Sequence, residues 1–223
     1  MIKNITNLGD AAIYCDFGDE VNRDTNSKVI NFFKNIKKNK IDGIINLAPS
    51  YNKLIISYDL SVVNFETIKD KIENLEIEDL LNNKVNKLEI PVCFEEEFTL
   101  DINRLKKKTN KSFKQFLKEF LAKEYFCYMT GFIAGMPFLG DLNKDLRINR
   151  LETPRVKVPK GAIGVTEQFT NIYTFESPGG WNIVGNTPIE VFDKKNKDNP
   201  TLINPGDKIK FYEITKKEFE SFK

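Results

Sequence analysis

Apolar residues along the first 90 positions follow two alternating periods. Residues 25–38 carry Val29, Ile30, Phe32, Phe33 and Ile36 at three- and four-residue spacing, which predicts an amphipathic helix with one buried stripe, capped by Asp24 or Thr25. A second helix is expected from about Phe65 to Asn74, with Phe65, Ile68 and Ile72 on one face. Between and around the helices, Ala11–Phe17, Gly43–Ala48, Lys53–Tyr58 and Val85–Val92 read as short strands, the middle two joined through a turn containing Pro49, Ser50 and Asn52. Strand, helix, strand, strand, helix, strand is the order of a small α+β sandwich of the split βαβ, ferredoxin-like kind, assigned here to residues 1–86.

The pattern then changes. Asp101 is placed to cap a helix over 102–108 and Ser112 another over 113–123, giving a helical hairpin at about 101–123. A DNA-binding helix-turn-helix is the weaker reading of this pair. The second helix commits Phe113, Phe116, Leu117, Phe120 and Leu121 to an apolar stripe, and its other face is of mixed charge with no Arg to read bases. Short strands follow at Tyr125–Met129, Ala162–Thr166, Asn171–Phe175, Trp181–Val184, Ile189–Phe192 and Lys208–Glu213, punctuated by turn residues. Of 12 Gly and 9 Pro, nine Gly and seven Pro lie between Gly131 and Gly206, which marks a second architecture in residues 87–223, a closed or nearly closed β-barrel.

Composition narrows the chemistry. With 34 basic and 32 acidic residues intermixed, the net charge of +2 forms no block suited to nucleic acid, and the Lys runs at 37–40 and 106–108 read as solvated helix faces. No stretch reaches the roughly 18 uncharged apolar residues of a membrane helix, and the first residues carry no leader pattern, so the cytoplasm is the expected compartment. Cys15, Cys93 and Cys127 are far apart without CxxC spacing, which predicts reduced buried thiols and no metal site. The chain has no His, so Ser-His-Asp and Cys-His nucleophilic machinery is excluded within it.

Three clusters exceed what barrel folding demands. In 131–140, GFIAGMPFLG, the residues Gly131, Gly135 and Gly140 permit close backbone approach, while Met136, Pro137, Phe138 and Leu139 supply an apolar surface partly stiffened by proline, and with Phe132 the segment is a candidate partner or pocket loop; a packed barrel-edge loop is the plainer alternative. In 153–159, TPRVKVP, arginine is conspicuous: only five residues of the chain are Arg against 29 Lys, yet Arg147, Arg150 and Arg155 fall within nine positions. A planar guanidinium fork suits a carboxylate or phosphate, and Arg155, between Pro154 and Pro159, is the leading anion-binding residue unless it ties down a structural carboxylate. In 172–188, IYTFESPGGWNIVGNTP, Ser177, Pro178, Gly179 and Gly180 read as a turn whose N–H groups make an anion nest beside Trp181, with Gln168 and Tyr173 upstream; equally, SPGG is a plain β-turn and Trp181 a core residue.

Together, EYFCYMTGFIAGMPFLGDL (124–142), TPRVKVPKGAIGV (153–165), IYTFESPGGWNIVGNTP (172–188) and PGDKIKFYEI (205–214) resemble the allophanate hydrolase subunit 1 family, which includes KipI and the 5-oxoprolinase B subunit. The resemblance implies a cyclophilin-like barrel after a small α+β domain. It further implies a subunit inactive alone that pairs with an allophanate hydrolase subunit 2 (KipA-like) protein and a LamB/YcsF-like subunit to open 5-oxoproline to glutamate with ATP and Mg. Arg155 and the Ser177–Gly180 segment would then serve a substrate carboxylate or phosphate. KipI-like inhibition of a histidine kinase and carboxyltransferase work in a urea-degrading complex are the alternatives it carries. The chain departs from the family pattern where a His commonly precedes the first of these motifs, with Phe120 near that place, and where GGQTGIYP becomes TEQFTNIYTF.

Overall fold

A computed structural model describes residues 2–80 and 85–222, and the chain divides into two compact units, Met1–Val85 and Asn86–Lys223. In the first unit, β1 (Asn4–Asn7), β2 (Ala12–Asp16), β3 (Ile44–Pro49) and β4 (Lys53–Tyr58) form an antiparallel sheet in the order β1-β2-β4-β3. Helix α1 (Arg23–Asn39) connects β2 to β3 with β4 between them, and α2 (Phe65–Glu73) follows β4. Ile13, Cys15, Leu54 and Ile56 alternate inward from the sheet to meet Val29, Phe32, Ile36, Ile68 and Ile72 of the helices, as the two periods require.

Two expectations change here, and one contact is added. The strand predicted at 85–92 does not close this sheet; its place beside β2 is taken by β1, whose polar, mostly exposed NITN gives no alternation to read. The cap of α1 is Asn22, not Asp24 or Thr25: its side chain accepts from the Thr25 N–H at 2.8 Å. Asn35, wholly buried, accepts from Glu78 N–H at 3.0 Å and donates to Glu78 C=O at 2.9 Å, so a polar residue inside α1 fastens the chain that follows α2.

The second unit is a closed barrel of seven strands, β5 (Lys87–Cys93), β6 (Glu124–Thr130), β7 (Pro137–Gly140), β9 (Ala162–Thr166), β10 (Phe169–Ile172), β12 (Asn182–Asn186) and β13 (Lys208–Ile214), in the order β10-β7-β6-β13-β5-β12-β9. Strands β5 and β13 pair in parallel from Lys87↔Lys208 to Cys93↔Ile214; β5 is therefore the strand sought at 85–92, recruited by the barrel. A separate ribbon joins β8 (Arg155–Val158) to β11 (Ser177–Gly179). Helices α3 (Ile102–Thr109) and α4 (Phe113–Ala122) form the hairpin, and α5 (Lys216–Ser221) lies after the last strand. Ser112 makes a full capping box with Gln115.

Phe116 and Phe120 of α4 stack at 5.9 Å, and Phe120 stacks again on Phe211 of β13 at 5.4 Å. Phe120 has no exposed surface, and Tyr125 donates its hydroxyl to the Phe120 carbonyl at 2.9 Å. The place where the family pattern commonly has a His is thus an aromatic packing site in this chain. The apolar run at 189–192 is not a strand. Val191 is buried against the barrel core and Phe192 makes a single bridge to Thr201, so its pattern reflects a loop packed on the barrel. The strand expected at 171–175 ends at Ile172. All three cysteines are free and buried, and burial pushes the Cys15 thiol up to about 12.

Candidate functional site

The three motif clusters converge at one side of the barrel. Segment 131–140 divides into an irregular turn and β7, so its second half is barrel wall rather than an edge loop: Pro137 and Gly140 are buried, Gly131 and Gly135 half-buried, and Phe132 stands 77% exposed with a φ of 68°. Phe138 of β7 meets the half-buried Trp181 edge-to-face at 5.5 Å, and Thr174 donates to the Ala134 carbonyl at 2.8 Å. These contacts tie the first cluster to the third. Trp181 therefore combines an aromatic contact with partial solvent access.

The Ser177–Gly180 segment is not a turn. Ser177–Gly179 is the extended strand β11, with Ser177 opposite Val158 and Gly179 opposite Arg155 across a bulge. Extended backbone alternates its N–H groups, so the convergent donors of an anion nest do not form. Gly179 serves another purpose: a Cβ there would lie 2.2 Å from the Tyr173 hydroxyl, so only glycine lets the ribbon close over that ring. Tyr173 is buried, and burial raises its phenol above the ordinary value against the opposing pull of hydrogen bonds to Asn171 and the Trp181 backbone and of Arg155 and Arg150. The hydroxyl stays protonated and acts as a hydrogen-bonding group.

Arg155 is committed on one side. Its Nη2 donates to Asp101 Oδ1 at 2.5 Å, while Asp101 Oδ2 accepts from the Ile183 N–H at 2.6 Å. The expected role of Asp101 as a helix cap is thereby corrected: its carboxylate makes no cap bond and instead joins the start of α3 to β8 and β12. Arg155 Nη1 and Ser177 Oγ, on the two facing strands, are buried and make no hydrogen bond. Unmet buried donors are costly, so each of these two atoms is a point in the ribbon with hydrogen-bonding capacity left over. Gln168 is elsewhere. It sits in the tight turn between β9 and β10, its carbonyl accepting from Leu142 N–H at 2.8 Å, and β10 separates it from Tyr173 by about 16 Å of extended chain.

One residue escaped the sequence reading. Arg104 of α3 donates through Nε to Asn182 Oδ1 at 2.8 Å and through Nη2 to the Asn149 carbonyl at 3.3 Å, which brings a fourth arginine to the stretch holding Arg147 and Arg150. It lies over 40 residues from the others in sequence, so spacing gave no signal.

Among the described residues no helix is long and apolar enough to cross a membrane, and no group of three or more Asp, Glu or Cys side chains is placed to hold a metal ion.

The profile of the family described as carboxyltransferase domain, subdomain C and D, matches residues 3–203. The chain is 32% identical to the 5-oxoprolinase B subunit of Bacillus subtilis across 98% of this chain and 96% of that protein. It is 26% identical to urea amidolyase of Saccharomyces cerevisiae across 95% of this chain, but spans only 13% of that protein. Its structure superimposes on the crystal structure of TTHA0988 with a TM-score of 0.81 at 27% identity, covering 91% of this chain and 40% of the longer one. On the barrel, the motif contacts and these matches together, the chain belongs to the carboxyltransferase domain, subdomain C and D family.

Proposed function

We propose that this chain is the B subunit of an ATP-dependent 5-oxoprolinase, acting with a subunit 2 (KipA-like) protein and a LamB/YcsF-like subunit to open 5-oxoproline to L-glutamate. The observation that carries the reading is the end-to-end match to a free-standing subunit of that name, whereas the urea amidolyase match is to a small part of a long chain. The chemistry agrees with a shared site. A five-membered lactam carbonyl is a poor electrophile, and transfer of the ATP γ-phosphoryl group to its oxygen, with release of ADP, activates the carbon; water then adds there, the C–N bond breaks so that the ring nitrogen leaves as the amine and an acyl phosphate remains, and a second water releases the carboxylate and inorganic phosphate.

In that scheme Arg155 Nη1 and Ser177 Oγ receive the substrate carboxylate or the developing anionic oxygen, while the protonated Tyr173 and the Asp101 carboxylate hold the ribbon in place. The described residues bring together no group of three or more carboxylates or thiols, and an Mg²⁺ accompanying the nucleotide would need only one or two carboxylates beside the phosphates. The absence of His fits a subunit whose acid–base groups come in part from partners.

Reconstitution tests it. The purified chain alone should release no glutamate from 5-oxoproline and ATP, and the three subunits together should do so with matching ADP formation. An inactive trio, or turnover independent of ATP, would overturn the assignment. The likeness to urea amidolyase supports a second reading, a carboxyltransferase acting on a urea-like amide, which predicts biotin-dependent carboxylation instead.

A further inference from the structure

Beside the ribbon, residues 147–152 run along the barrel as a stapled segment: Glu167 N–H donates to the Ile148 carbonyl at 2.7 Å, Leu151 N–H to the Gly180 carbonyl at 2.7 Å, and Asn182 Nδ2 to the Asn149 carbonyl at 3.1 Å. Between this segment and α3 lies a pocket of about 520 Å³, lined by Arg104, Lys108, Arg147 and Arg150, with Glu152 as its single carboxylate. No ion pair among the described residues joins any of these four cations to a carboxylate. Elsewhere in the unit some lysines do have carboxylate partners, among them Lys111 with Glu119, Lys157 with Glu176, Lys160 with Glu190, Lys208 with Glu124 and Lys216 with Glu97. What sets the pocket apart is the gathering of three of the chain's five arginines around one cavity.

Its guanidinium groups are also held in position. Arg104 is fixed by Asn182 and the 149–150 carbonyls, and Arg147 Nε donates to the Leu142 carbonyl at 3.0 Å. Arg150 occupies the space that Gly180 leaves open, its Nη2 3.1 Å from where a Cβ would stand. Like charges gathered without partners repel one another, and an anion entering among them is attracted by all four. Forked guanidinium groups match tetrahedral phosphate oxygens two at a time, and several forks around one cavity favour a chain of phosphates over a single carboxylate. No aromatic side chain lines the pocket, so nothing there stacks on a base.

We infer that this pocket binds an oligophosphate, recognised through its phosphates by Arg104, Lys108, Arg147 and Arg150. It is a site distinct from the Arg155–Ser177 pair. Its source is either the triphosphate of a nucleotide or a free inorganic polyphosphate. Only the nucleotide alternative rests on the function proposed above, and binding needs neither partners nor turnover, so the two readings fail separately.

The experiment is calorimetric titration of the isolated full chain with inorganic tripolyphosphate and with ATP, without added metal. Saturable one-to-one binding is expected that weakens as salt rises, and Lys108→Ala and Arg150→Ala should each weaken it about tenfold. Both positions are solvent-exposed. Lys107→Ala, on the same helix but outside the pocket lining, should leave binding unchanged, and thermal melts should show all three variants folded. Tighter binding of ATP identifies a nucleotide as the source; equal or tighter binding of tripolyphosphate identifies the phosphate chain alone. Absence of saturable binding by both probes, or binding that Lys108→Ala and Arg150→Ala leave intact in folded protein, overturns the site.

Discussion

The two units treat polar groups in opposite ways. In the first, Asn26 and Asn35 are the only buried polar residues among those described, and the rest of its interior is the apolar face of one sheet and two helices. In the second, Asp101, Thr166, Thr170, Asn171, Thr174, Asn182 and Asn186 are all buried, most of them around the ribbon and the adjoining ends of β9, β10 and β12. A buried polar group is destabilising unless it is paired, so a core that holds many of them has been built around directed contacts rather than area alone. The difference sets apart the part of the molecule on which the proposed function rests. The first unit is stabilised by burial; the second uses part of its interior to orient Arg155, Arg104 and Tyr173.

The sharpest way to break this contrast is Asp101→Ala. It leaves the Ile183 N–H and the partly buried Arg155 guanidinium without their acceptor, and the second unit should lose about 3 kcal/mol, measured as a lower urea midpoint. A shift within error would mean that solvent replaces the carboxylate freely, and the buried network would be dispensable. Gly179→Ala should cost about 2 kcal/mol, because the new Cβ must displace the Tyr173 ring, and Tyr173→Phe, which removes the hydroxyl in that contact, should recover part of the loss. If the double variant is as unstable as the single, the ribbon backbone rather than Tyr173 is what glycine spares.

The smallest effect lies in the first unit. Hydrogen bonding to Lys53, then to the Gly18 N–H, holds the Asp16 carboxyl below the usual carboxylate range. A depressed folded pKa contributes stability that is present above the unfolded value, near 3.9, and is lost as pH falls through the folded one. Both partners are partly exposed, so the contribution is below about 1 kcal/mol. Asp16→Asn should therefore narrow the gap in melting temperature between pH 6 and pH 3 by a small amount; an unchanged gap would show the pair to be silent.

Much of the helical structure was legible in the sequence because it depends on local periodicity. The stripes of α1, α2 and α4 and the Ser112 cap lie where the spacing of Val29–Ile36, Phe65–Ile72 and Phe113–Leu121 puts them. Strands were less legible. β1 is a polar edge, β7 follows a glycine-rich turn that hides its alternation, and 189–192 alternates only because a loop packs its apolar side chains on the barrel. At the site, the convergence of the 131–140 and 172–188 segments had no sequence signal beyond composition, and SPGG misled because Pro and Gly mark turns on average while here they build a bulged strand over Tyr173.

By itself, the sequence determined the helices, the change of architecture after the first unit, the lack of histidine chemistry and the motifs that place the chain in its family. These follow from residue type, period and order, which are properties of the chain before it folds. Tertiary structure alone decided that β5 joins β13 in the barrel, that Asp101 binds Arg155 instead of capping α3, and that Arg104 meets Arg147 and Arg150 around one pocket. Each of those joins residues 40 or more positions apart, and no local preference specifies which distant partner satisfies a buried charge or an open strand edge. Closure of the barrel does.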